Sequence, residues 1–320
     1  MNPVNGDLEN NVTVTEFLLL GFRNLRHLDF PLFLLFLVIY LVTMVGNLLI
    51  VALVISDHHL HTPMYFFLGN LSCLEICYSS SIVPKMLVGL LHHDVIISVA
   101  GCMTQYYFFG FLAVTECCLL AAMSYDRYIA ICKPLLYPVI MNAKTSLQLA
   151  AGSWISGFLV INLTIYLMQQ LTFCGPNTID HFFCDFSPLL KLSCHDTHMI
   201  ELITTVLGGL CSLPPFILTL TSYGHIILAV VRIPSTVGRQ KAFSTCSSHL
   251  MVVCIFYGAI MIVYLLPRTN ELRDGNKVFS LFYAVLTPLL NPLIYSLRNR
   301  EVKNALKKNF LKYLTHRMII

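Results

Sequence analysis

Residues 30–55 read FPLFLLFLVIYLVTMVGNLLIVALVI, without a single charge. As a helix rising about 1.5 Å per residue, this stretch is about 39 Å long, more than the ~30 Å hydrocarbon core of a bilayer. A core helix of a soluble domain needs no such run of unbroken apolar sequence. The stretch is a membrane span.

The same signal recurs down the chain. Pro63 to Leu90, Val99 to Cys132, Ala143 to Leu167, Met199 to Val231, Ala242 to Leu266 and Val278 to Leu297 are each long enough to cross a bilayer. The predicted fold is an all-α seven-helix transmembrane bundle. It divides into an outer N-terminal segment (1–29), the bundle (30–297) and an inner tail (298–320). Composition agrees, because 57% of residues are hydrophobic and 11% charged, against about a quarter charged in soluble domains. Interior prolines at Pro214, Pro215, Pro288 and Pro292 are tolerable where packed neighbours satisfy the freed carbonyls.

Lys and Arg set the orientation. With the N-terminus outside, thirteen of the 20 basic residues fall on the inner face and seven on the outer, which favours that arrangement. The first 27 residues carry acids and only the brief apolar stretch Phe17 to Leu20, unlike a cleavable leader. The first span is therefore expected to carry the N-terminus across. In the tail, Val302, Ala305, Leu306 and Phe310 repeat at helical spacing with Lys303, Lys307 and Lys308 off the stripe. This reads as an amphipathic helix on the inner leaflet; the alternative is a disordered basic tail. A net charge of +4 gives no basic surface suited to nucleic acid.

Twelve cysteines are present, and eight lie in or at the ends of apolar spans as small core residues. Cys102, Cys174, Cys184 and Cys194 fall on the oxidising outer side, so two disulfides are expected, with three connectivities open. Asn11-Val12-Thr13 is a glycosylation sequon on the exported end.

Several motifs stand at fixed depths. Met123-Ser124-Tyr125-Asp126-Arg127-Tyr128 ends helix three, Asn291-Pro292-Leu293-Ile294-Tyr295 lies in helix seven, and Gly46-Asn47 and Trp154 mark helices one and four. Together they resemble the rhodopsin-like G-protein-coupled receptors. Pro63 to Leu68, Met123 to Cys132, Lys241 to Leu250, Pro288 to Arg298 and the loop His181-Phe182-Phe183-Cys184-Asp185 narrow the resemblance to odorant receptors of the tetrapod type. It covers the chain from about Phe17 to Lys308.

The resemblance implies a receptor activated by a small volatile odorant, coupled to a stimulatory olfactory G protein and raising cyclic AMP. It implies a multi-pass protein of the plasma membrane of olfactory neuron cilia. It implies the pairings Cys102–Cys184 and Cys174–Cys194. It makes Asp126, Arg127 and Tyr128 the switch facing the G protein, with Tyr223, Lys241, Asn291, Pro292 and Tyr295 as partners; an ordinary interfacial charge pair is the other reading of Asp126 and Arg127. It places the odorant among Phe109, Gly110, Ala113 and Val114 of helix three, Leu207, Gly208 and Cys211 of helix five, and Tyr257, Ile260, Met261 and Tyr264 of helix six. A plain packing stripe would have the same spacing.

Phe109 stands seventeen positions before Asp126, where receptors for biogenic amines carry an acid. An ammonium ligand would find no partner, and burying an unpaired charge is costly. The expected ligand is a small, mostly apolar volatile with one oxygen for Tyr257 or Tyr264. Two acids, Glu75 and Glu116, lie inside the membrane, where a charge costs about 2.5–3.5 kcal/mol. Glu75 stands where the resemblance implies a sodium-binding acid, so the pair is read as a sodium or proton site, or as a protonated hydrogen-bonded pair. His181-x-x-Cys184-Asp185 could ligate a soft metal, but the implied disulfide claims Cys184.

No other cofactor is expected. The chain shows no nucleophile–base arrangement, so an enzyme is not expected. It shows none of the internal repeats of secondary transporters. The nearer alternative is a receptor of the same class for another small apolar or lipid ligand; a transporter is the more distant one.

Overall fold

The computed structural model describes residues 14–92, 95–174, 177–265, 273–298 and 302–307. Asn11 lies outside them. So do the side chains of Lys241, Tyr264 and Tyr295, whose backbones are helical.

Seven helices build the bundle: α1 (Asp29–Ser56), α2 (Pro63–His92), α3 (Val99–Cys132), α4 (Ala143–Met168), α5 (His198–Val231), α6 (Thr236–Leu265) and α7. The last runs through Arg273–Leu281, a π segment Phe282–Leu286 and Thr287–Arg298. Six of these regions are long and apolar enough to cross a membrane; within α6 the apolar part is the shorter His249–Met261. That helix starts at Thr236, six residues before the expected Ala242, because Thr236 to Lys241 is polar but still helical. Outward faces are apolar as well: Leu41, Val45 and Leu48 of α1 are half or more exposed. A surface of that kind has lipid as its solvent.

Local chemistry sets the ends. Ser98 accepts from Gly101 N–H at 3.0 Å and caps α3, and Asn142 accepts from Thr145 N–H at 2.9 Å and caps α4. Pro288 has no N–H for the carbonyl four residues back. Just before it the helix widens, and Thr287 Oγ1 donates to the Phe282 carbonyl at 3.1 Å. Close crossings use small residues. A Cβ on Gly46 would lie 2.9 Å from Pro292 Cβ, so α1 meets α7 there at near-contact distance.

The end of the bundle that carries the N-terminal segment has a small sheet that the sequence did not suggest. Strand β1 (Glu16–Leu19) pairs antiparallel with β2 (Val95–Ser98) and parallel with β3 (Thr178–Ile179). The N-terminal segment is thus tied to two different outer loops. Gly21 follows β1 at φ 54, a left-handed conformation suited to glycine, and its N–H donates to the His181 carbonyl at 3.2 Å. Residues 302–307 are helical at the inner end, with Val302 and Ala305 buried and Lys303 and Lys307 exposed.

Candidate functional site: a bundle cavity and an inner switch

A cavity of about 200 Å³ opens between α3, α4, α5, α6 and α7, below the second outer loop. Its walls include Phe109, Gly110, Ala113, Val114, Gly208, Tyr257, Ile260 and Met261, all expected from the sequence. Leu207 and Cys211 are off the wall. The lining ridges of α5 are Thr204–Gly208–Ser212–Phe216 and Thr205–Gly209–Leu213, and one residue of helix turns the side chain by roughly 100°. Cys211 instead faces toward the side of α3 near Cys117 and Cys118. The cavity also takes in Tyr106, Val160, Ile161, Thr164, Phe186 and Tyr283, which spacing within single helices could not bring together.

Two expected roles change. The Tyr257 hydroxyl donates to the Cys117 carbonyl at 2.8 Å, so its proton is already used. A Cβ on Gly110 would lie 2.6 Å from Ile161 Cδ1, so this glycine makes room for α4 as well as for the cavity.

The roof is fixed in several ways. Cys102 of α3 is bonded to Cys184 of the loop with Cα atoms 5.4 Å apart, and Cys174 to Cys194 at 5.6 Å. Gln105 adds a clamp missed in the sequence: its Oε1 accepts from Cys184 N–H at 3.0 Å and its Nε2 donates to the Ser81 carbonyl at 2.9 Å. His181 is buried with the rings of Phe182 and Phe183 each centred 4.6 Å away, and Cys184, two residues beyond Phe182, is held in the disulfide. Burial, then the nearby Lys277 cation, push the His181 pKa down to about 3. Lys277 of α7 pairs with Asp180 and reaches the Gly21 carbonyl at 3.5 Å, which ties α7 to the roof.

Midway through the bundle, Glu75 and Glu116 are fully buried and adjacent. Asn291 donates to Glu75 Oε1. Among the described residues, Glu75 Oε2, both Glu116 oxygens, Asn47 Oδ1, Ser79 Oγ and Asn291 Oδ1 have no hydrogen-bond partner. This excess of buried oxygen acceptors, two of the groups being carboxyls, suits a hard cation or a shared proton.

At the inner end, Arg127 donates to Asp126 through Nε at 2.9 Å and through a second guanidinium nitrogen. The other Asp126 oxygen accepts from Tyr137 at 2.8 Å; this residue sits on the short helix Tyr137–Ile140. The acid beside it raises the Tyr137 pKa, after burial. Tyr223 of α5 meets His249 of α6. Neither Tyr137 nor His249 carries a sequence signal of this role, since each depends on a partner from another segment. The Tyr128 ring lies 5.6 Å from His225 at a tilt of 48°, and Lys133 Nζ sits 5.7 Å over it. Asn291 and Pro292 stand in α7, Asn291 on Glu75 and Pro292 against Gly46.

A loop-roofed cavity above an Asp-Arg-Tyr pair is the layout of a ligand-gated seven-helix receptor, and the olfactory receptor family model matches residues 36–313. The chain belongs to the olfactory receptor family. Human olfactory receptor 10A2 is 53% identical over 289 residues, covering 90% of this chain and 95% of the relative. Human olfactory receptor 10A7 is 51% identical over 310 residues, covering 97% and 98%. Human olfactory receptor 11A1 is 50% identical over 298 residues, covering 93% and 94%. This olfactory receptor is a multi-pass membrane protein that binds odorants and couples to a G protein; it is not an enzyme.

Proposed function

We propose that this receptor activates the stimulatory olfactory G protein and raises cyclic AMP when a small, mostly apolar volatile enters the α3–α5–α6 cavity. The N-terminus faces outward, Asn11 carries a glycan, and the protein works in the plasma membrane of olfactory neuron cilia. The observation that supports the reading best is the pairing of Arg127 with Asp126, its neighbour on α3, at the inner end of the same helix whose middle lines the cavity. Outward movement of α6 would expose Arg127 to the G protein. An odorant acts by favouring that arrangement, which needs only that it bind one state better than the other.

Glu75 and Glu116 form a site for one sodium ion or one proton in the resting state. Two adjacent carboxylates cannot both stay charged without a counter-ion. The ion would supply positive charge there, and the Asn291 oxygen and Ser79, one turn from Glu75, would add to its shell.

The test is a cyclic AMP assay in cells that lack their own stimulatory α subunits, with single α subunits added back. A volatile-evoked rise with the olfactory stimulatory subunit is expected. A response carried only by an inhibitory subunit would overturn the coupling.

A further inference from the structure

We propose that Thr204 is the specificity-determining residue of the cavity, its hydroxyl being held in reserve for the single carbonyl or hydroxyl oxygen of an otherwise apolar odorant. The proposal rests on the odorant reading above and names the polar contact within it.

Four of the hydroxyls around the cavity are spent. Thr164 donates to the Val160 carbonyl at 3.0 Å, Ser212 to the Gly208 carbonyl at 2.8 Å, and Tyr257 to the Cys117 carbonyl at 2.8 Å. Tyr283 reaches Ser280 at 3.2 Å. Thr204 differs. Its Oγ1 is buried and has no hydrogen-bond partner among the described residues. A helical Thr or Ser normally bonds the carbonyl four residues back, as Thr115, Thr164, Ser212 and Thr221 all do here. An orphaned buried hydroxyl is destabilising. A group kept at that cost on the wall of a cavity is placed to be satisfied by a guest.

The surroundings agree. One turn inward from Thr204, a Cβ on Gly208 would meet no heavy atom within 4 Å, and one on Gly209 only Leu213 Cδ1 at 4.0 Å. The guest can lie against bare α5 backbone with Thr204 at its end. The cavity, at about 200 Å³, is below the ~300–1,000 Å³ of sites for drug-sized ligands. One small molecule fits, with one oxygen.

The experiment compares Thr204→Val, which keeps the shape and removes the hydroxyl, with Thr204→Ser, which keeps the hydroxyl. The probes are octanal, octanol and 2-octanone, with octane as the hydrocarbon control, read as cyclic AMP at matched surface level. Expected is at least a tenfold loss of potency for the activating oxygenated probe in Thr204→Val, little change in Thr204→Ser, and no selective loss for octane. Without ligand, Thr204→Val should melt at the same temperature or about 2 °C higher, since an orphaned hydroxyl has gone. An unchanged response of Thr204→Val to the probe that activates the parent overturns the proposal and leaves the odorant reading intact. A clearly lower melting temperature of ligand-free Thr204→Val also overturns it, because the hydroxyl then has a structural partner. A parent silent to all the oxygenated probes counts against the ligand class assigned to the cavity, while the melting comparison still judges the hydroxyl by itself.

Discussion

Tyr223 of α5 and His249 of α6 are joined in the inner half of the bundle: the Tyr223 hydroxyl meets His249 Nδ1, and the rings stack 5.8 Å apart at 27°. Both residues are buried, and His249 Nε2 has no partner among the described residues. In the proposed mechanism this contact holds α6 in its resting place. Tyr223→Phe removes it while keeping the ring. Losing about 1 kcal/mol of a neutral hydrogen bond shifts a two-state balance about fivefold. Basal cyclic AMP at matched surface level should rise by up to that factor, and an unchanged basal signal would show the contact to be passive.

Glu116→Gln removes one of two adjacent acids and, on the proposed ion site, the need for a cation. Basal signalling should rise and lose its dependence on external sodium. Basal curves of parent and variant that coincide at every sodium concentration would leave Glu75 and Glu116 as packing residues.

Gly157 tests the packing of α3 on α4. A Cβ there would lie 2.2 Å from Thr115 Oγ1 and 2.6 Å from the Phe111 carbonyl oxygen, which are themselves hydrogen-bonded at 2.8 Å. Gly157→Ala should cost about 1–3 kcal/mol of overpacking and sharply reduce receptor at the surface. Gly152→Ala, where a Cβ meets nothing within 4 Å, is the control and should be silent. Equal surface levels for the two would contradict the close approach.

His181 makes the roof sensitive to acid. Its folded pKa is about 3, below the ordinary value of about 6.5. Between those values the unfolded chain binds the proton and the folded one does not. The contribution is thus fully present above about pH 6.5 and lost progressively as pH falls toward 3, by up to about 1.4 kcal/mol per unit. The melting temperature of purified receptor should fall between about pH 7 and about pH 5, and His181→Phe should fall less. Parallel slopes would show that other groups carry the acid sensitivity.

The spans and the Asp126-Arg127-Tyr128 end of α3 were legible because length and apolarity are properties of continuous sequence. The cavity was legible only in part. Spacing placed Phe109, Ala113 and Val114 on one face, but the rotation of α5 depends on what it packs against, and so Leu207 and Cys211 gave way to Thr204 and Ser212. Hydroxyls could be counted but not assigned: Tyr257 looked free and is bonded to Cys117. Strand β1 has four residues, and nothing in Glu16-Phe17-Leu18-Leu19 signals a strand until β2 and β3 supply its partners.

Arg127→Ala is the most direct measurement. Arg127 holds Asp126 at the inner end of α3, outside the cavity, so the variant should fold and still bind odorant. Odorant-evoked cyclic AMP is measured beside surface staining. The expected result is normal surface receptor with no evoked signal; a full response at normal surface level would contradict a switch centred on Arg127.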